Sequence, residues 1–121
     1  MRTKISKVLT GAVLLACFVL PAESASAAKT VSVNCNFFSP NPVSVAKGGK
    51  VVWNDKCGFH TVTAYVKNSK SWSKDVSLIP GQTTSRIFRT RGVFKYYCKN
   101  HGHLSASNVC SGMCGRVKVG L

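Results

Sequence analysis

GVFKYYC, Gly92 to Cys98, alternates so that Phe94, Tyr96 and Cys98 fall on one face of an extended chain. That period reads as a strand with one face in the core, and it points the Cys98 sulfur inward at the strand's end. The residues that follow, KNHGHLSASNVCSGMCG (Lys99–Gly115), hold two histidines, two further cysteines and a methionine. The chain therefore places metal-ligating side chains where a β-sheet ends.

The same alternation extends outward in both directions. KTVSV (29–33) puts Val31 and Val33 in phase with Cys35, and NPVSVAKGGKVVWN (41–54) pairs Val43 with Val45 and Val51 with Trp53 around a Gly48-Gly49 turn. HTVTA (60–64) and TTSRIFR (83–89) are β-rich, with Pro80-Gly81 marking a turn before the second. GRVKVGL (115–121) brings Val117 and Val119 into phase. Short strands with turn residues at regular spacing predict an all-β, antiparallel-rich β-sandwich of about seven to eight strands. Lys67–Asp75 has the least pattern and reads as a loop or one helical turn. Within it Trp72 reads as an ordinary exposed aromatic, whereas Trp53 reads as core. No linker or repeat divides the chain, so 28–121 is expected to form one domain whose thin core gains from crosslinks or a metal.

The first residues have a different character. Arg2, Lys4 and Lys7 precede an apolar run from Val8 to Leu20, Pro21 ends it, and Ala25-Ser26-Ala27 is a small-x-small cleavage site. This predicts a secretory signal over 1–27 and a periplasmic or secreted product. Leu14 to Cys17 resembles a lipoprotein box, but Phe18, Val19 and Leu20 continue apolar where a tether turns polar, so Cys17 reads as part of the discarded signal. No other stretch is apolar enough to span a membrane.

Of the 17 Lys and Arg, three lie in that segment with Glu23, leaving 14 cations against Asp55 and Asp75 and a net charge of +12. Export and the absence of any basic run longer than two argue against nucleic acid, and the scatter of charges between apolar positions suits the outer faces of strands. Two acids also exclude paired-carboxylate and Ser-His-Asp chemistry. An anionic membrane or an acidic protein partner fits the field, as does a solvated surface without a specific partner.

Four groups then stand out: His60 opening a strand, Cys98 at a strand end, His101 three residues later, and Met113, the one methionine besides Met1. A thiolate, two imidazoles and a thioether are the donor set of a blue-copper electron-transfer site, and a thioether is a poor ligand for zinc, calcium or magnesium. A zinc alternative uses the two Cys-x-x-His pairs, Cys57/His60 and Cys98/His101, and leaves an odd number of cysteines.

With these residues, the chain resembles the cupredoxins, specifically the small plastocyanin- or pseudoazurin-like blue copper proteins. FFSPNPVSVAKGGKVVWN, HTVTA, PGQTTSRIFRTRGVFKYYCKNH and GMCGRVKV carry the resemblance, which covers nearly all of 28–121. It implies a Greek-key sandwich with one Cu(I)/Cu(II) ion at one end, held by His60, Cys98, His101 and Met113. Such a site leaves no position for substrate, which implies a monomeric electron carrier between redox proteins and not an enzyme. Copper storage or delivery is the alternative. The loop from Gly102 to Gly112 is longer than the family's usual spacing, and His103 within it is a minor candidate for the axial position.

The resemblance also places Cys35, Cys57, Cys110 and Cys114 near the copper end, an even set in an oxidising compartment. The favoured pairing ties Cys35 and Cys57 to Cys110 and Cys114. The other option, Cys110–Cys114 with Cys35–Cys57, closes a tight loop around Met113. Tyr97, turned outward between Lys95 and Lys99, is where the resemblance places a surface tyrosine, and an acidic redox partner such as a cytochrome is expected to dock there.

Overall fold

The computed structural model describes residues 27–121; the predicted signal segment, with Cys17, lies outside them except for Ala27. The described residues form nine strands: β1 (Lys29–Val33), β2 (Phe38–Ser39), β3 (Val43–Val45), β4 (Gly49–Asp55), β5 (His60–Tyr65), β6 (Asp75–Leu78), β7 (Thr83–Phe88), β8 (Gly92–Leu104) and β9 (Cys110–Val119). They build a four-stranded sheet ordered β2-β1-β4-β7 against a five-stranded sheet ordered β3-β9-β8-β5-β6. The all-β sandwich expected from the period-2 pattern is what the chain adopts. Most neighbours are antiparallel, but β1 runs parallel to β4 and β3 parallel to β9.

Alternation sets the core. Val31, Val33, Val51 and Trp53 face inward from one sheet, and Val43, Val62, Phe94, Tyr96, Val117 and Val119 from the other, all buried. Each such aliphatic or aromatic side chain contributes about 1.5–3 kcal/mol by leaving water. Cys35 does not continue the Val31/Val33 face: β1 stops at Val33 and Cys35 is exposed.

Trp72 overturns its expected exposure. Residues 66–74 form no strand, yet Trp72 is buried at 8% exposure, stacks 6.4 Å from Trp53, and meets Phe88 and Phe94 at 5.5 and 6.2 Å. The physical reason is the edge of the sandwich. The segment straps across it, Lys70 N–H donating to Val93 O and the Trp72 indole to Lys95 O, and a large ring closes the core. At the centre, Trp53 Nε1 and Tyr96 Oη are buried without a well-formed hydrogen bond. Burial drives the Tyr96 phenol well above its ordinary pKa, with only partial opposition from the neighbouring indole N–H.

Cysteine pairing also differs from the favoured expectation. Cys35 bonds Cys57 and Cys110 bonds Cys114, so each bridge is local and none joins the two pairs. The cause is backbone placement: Cys35 and Cys57 follow the ends of the paired strands β1 and β4, with Cα atoms 4.8 Å apart.

Candidate metal centre

Three strands deliver the site residues: β5 carries His60, β8 carries Cys98 and His101, and β9 carries Met113. β4 ends at Asp55, whose buried carboxylate accepts a hydrogen bond from Cys57 N at 2.9 Å and fixes the turn into β5. The turn passes Gly58 at φ +79 and releases His60 as the first residue of β5, fully buried. Its Nε2 is held by the Cys57 carbonyl, which leaves Nδ1 facing the Cys98 sulfur at 3.6 Å. This carbonyl is a partner that no sequence pattern identified.

β8 brings Cys98 inward in phase with Phe94 and Tyr96, as the alternation predicts. The β8–β9 ladder then skips: Tyr97 pairs with Cys114, and the next pair is Gly102 with Gly112. Residues 98–101 bulge out of the ladder between those pairs, and the bulge returns His101 Nδ1 to within 3.5 Å of Cys98 Sγ. The donor atoms of His60, Cys98 and His101 all lie within 4.8 Å of one another. Two of the three are buried, while the His101 side reaches solvent.

The Gly102–Gly112 stretch is not a free loop. Gly102, His103 and Leu104 pair with Gly112, Ser111 and Cys110, so the ladder resumes as a hairpin beyond the bulge. Its glycines are dictated by contact. A Cβ on Gly102 would stand 2.8 Å from both the Cys98 and the Met113 carbonyl oxygens, and one on Gly112 (φ +77) would meet the His101 carbonyl. Met113, at 1% exposure, thereby has its backbone pressed against the bulge that holds Cys98 and His101. His103 is exposed and does not join the convergent donors.

Thr61 and Asn41 belong to the site although the sequence did not single them out. Buried Thr61 aims its N–H at Cys98 Sγ (3.4 Å), and its hydroxyl accepts from Lys99 N at 2.8 Å, which ties β5 to the bulge. Asn41 clamps β9 beyond Met113, donating to Cys114 O and accepting from Arg116 N, both at 3.0 Å. A polar residue whose function is one hydrogen bond leaves no periodic trace in sequence.

The Cys57/Cys98 zinc pairing is excluded in this arrangement, since Cys57 Sγ is bonded to Cys35. Cys98 is the free thiol among the described residues. A thiolate about 2.3 Å and an imidazole about 2.0 Å from one ion, some 120° apart, stand about 3.7 Å from each other. The two Sγ–Nδ1 distances match that spacing. The Cys98 sulfur and the two imidazoles would therefore suit ligation of one metal ion.

No family model and no curated protein matches this chain in sequence. Solved structures do match. A purple cupredoxin from Nitrosopumilus maritimus superposes with TM-score 0.59 at 22% identity, over 75% of this chain and 98% of its own. A mutant of amicyanin in its reduced Cu(I) form gives 0.60 at 20% identity, over 81% and 87%. The chain has the cupredoxin fold. The Cu-containing nitrite reductase from Thermus scotoductus gives 0.63 at 17% identity, but this chain spans 22% of that one. Within the cupredoxin frame, the donor cluster lies at one pole, where the end of β4, the start of β5 and the bulge of β8 meet.

Proposed function

We propose that the chain is an exported carrier of single electrons that holds one copper ion between His60 Nδ1, Cys98 Sγ, His101 Nδ1 and the Met113 thioether. The observation that supports this best is the convergence of the one free cysteine of the described residues with two imidazoles. A copper ion there supplies a one-electron couple, with a soft thiolate and thioether acceptable to Cu(I) and imidazoles acceptable to both states. The protein's own contribution is rigidity. The Cys57 carbonyl fixes the His60 ring, Thr61 N–H stabilises the thiolate, and the Gly102/Gly112 contacts press the Met113 strand against the bulge. Burial of His60, Cys98 and Met113 keeps water and substrates out, which suits a carrier and not an oxidase or reductase. His101 is the exposed ligand, so electrons enter and leave at its edge.

Two bridged cysteine pairs suit the periplasm or the outside of the cell. An acidic redox protein is the partner the charge favours. On the outer face of the five-stranded sheet Tyr97 packs edge-on against Tyr65, and Lys95 is ranked between Tyr65 and Arg116. Lys99 contributes less than expected because it pairs with Asp75 at 2.9 Å, a bond that holds the Asp75 carboxyl below its ordinary pKa.

Adding Cu(II) to purified protein tests the proposal. One equivalent is expected to give an intense thiolate-to-copper band in the visible that Cys98→Ser abolishes. A colourless protein with copper bound would end it.

A further inference from the structure

At the pole opposite the metal ligands, where β7 ends and β8 begins, lies an open cleft of about 320 Å³. Lys70, Arg86 and Arg89 line it, and Phe88 and Phe94 close its floor. Arg86 is out of keeping with its strand. It sits opposite fully buried Val51 and in phase with buried Phe88, so it projects from the core-facing side of the edge strand β7. Its guanidinium is fixed there, 5.5 Å over the Trp72 ring, with one N–H donated to Ser73 O at 2.9 Å. The remaining donors of the fork stay available.

No carboxylate answers these charges. The acids of the described residues are Asp55, engaged with Cys57 N, and Asp75, paired with Lys99. Lys74 donates to Ser85 O on the same strand, and burial together with the Arg86 charge holds its ammonium below the ordinary range. Cations crowded without a counter-ion, beside the hydroxyls of Ser71 and Thr90, make a receptor for a tetrahedral oxyanion.

We infer that this cleft binds a phosphate-class oxyanion through Arg86, Arg89 and Lys70, supplied either as free phosphate or as the headgroup of an anionic lipid. Occupancy at this pole leaves His101 pointing away from whatever carries the phosphate. The inference does not depend on the metal proposal, since none of its residues is a ligand.

The test titrates the 15N-labelled protein with inorganic phosphate, and separately cosediments it with vesicles of phosphatidylglycerol and phosphatidylcholine or of phosphatidylcholine alone. Lys70→Met keeps the stem that packs on Gly92, and Arg89→Gln touches no core residue, so both variants should fold. Saturable shifts confined to residues 70–71 and 86–90, weakened about tenfold in the double variant, are expected of charge-assisted bonds. Vesicle binding with the same variant dependence identifies the headgroup as the source; phosphate binding without it identifies free phosphate. Linear shifts spread over all basic residues would overturn the inference. So would equal weakening by a Lys56→Gln, Lys118→Gln control, because Arg86 would then serve only to block edge-strand pairing.

Discussion

Thr61 shows how much one hydroxyl holds. Its Oγ1, on a buried side chain, accepts from Lys99 N within the ligand bulge. Thr61→Val keeps the shape and strands that N–H, so unfolding in urea is expected to show a loss of about 1–3 kcal/mol. A variant as stable as the parent would mean that the bulge holds itself. Met113 separates packing from ligation. Met113→Leu conserves volume and is expected to cost under about 1.5 kcal/mol, whereas Met113→Ala is expected to cost about 2–5. If the thioether is a ligand, the Leu variant still binds copper but has a raised potential. A hydrocarbon in place of a donor disfavours the more charged Cu(II) state. An unchanged potential by voltammetry would assign Met113 to the core alone. The chemistry-bearing side chains were legible because few residue types can do their work. Thr61 and Asn41 were not, because any hydroxyl or amide anywhere in the chain could have made those bonds.

The β8–β9 hairpin is the element that reaches furthest beyond the sequence pattern. HLSASNVCSG shows no apolar alternation, because both faces of this ladder lie outside the sandwich, and so it read as loop. What specifies it is backbone: Gly112 at φ +77 turns the chain, and the Cys110–Cys114 bridge holds Cα atoms 6.2 Å apart that an extended strand would separate by about 13 Å. Gly112→Ala combines a left-handed backbone penalty with a Cβ against the His101 carbonyl, and is expected to cost about 2 kcal/mol or more. Amide exchange at Leu104 and Cys110 should accelerate with it. If stability fell while those amides stayed protected, the strain would lie elsewhere. The strands of the core were read correctly because one buried face imposes period 2. Trp72 was misread for the opposite reason: a strap that inserts a single ring has no period to detect.

At the scale of the molecule the dominant fact is uncompensated charge. The described residues carry 14 Lys and Arg against two Asp, and they form one salt bridge, Lys99–Asp75, with side chains 45% and 59% exposed. A pair that open to water contributes little. Self-repulsion among the cations acts on the folded state more than on the expanded chain, where the same charges stand further apart. Sodium chloride should therefore stabilise the protein, since screening shortens the reach of repulsion to about 10 Å at 0.1 M. The loss of the exposed ion pair acts in the other direction but is smaller. Relief of about 1 kcal/mol corresponds to a rise of about 4–8 °C in Tm for a domain of this size. Calorimetry at low and high chloride measures it directly, with chloride chosen so that no oxyanion enters the basic cleft. The same screening should slow electron exchange with an acidic partner, so stability and rate are expected to move in opposite senses along one salt series. A Tm that fell with salt would mean that the scattered cations are already placed far enough apart to ignore one another. The docking role argued for Tyr97 and Lys95 would then have to rest on local contacts instead of the field.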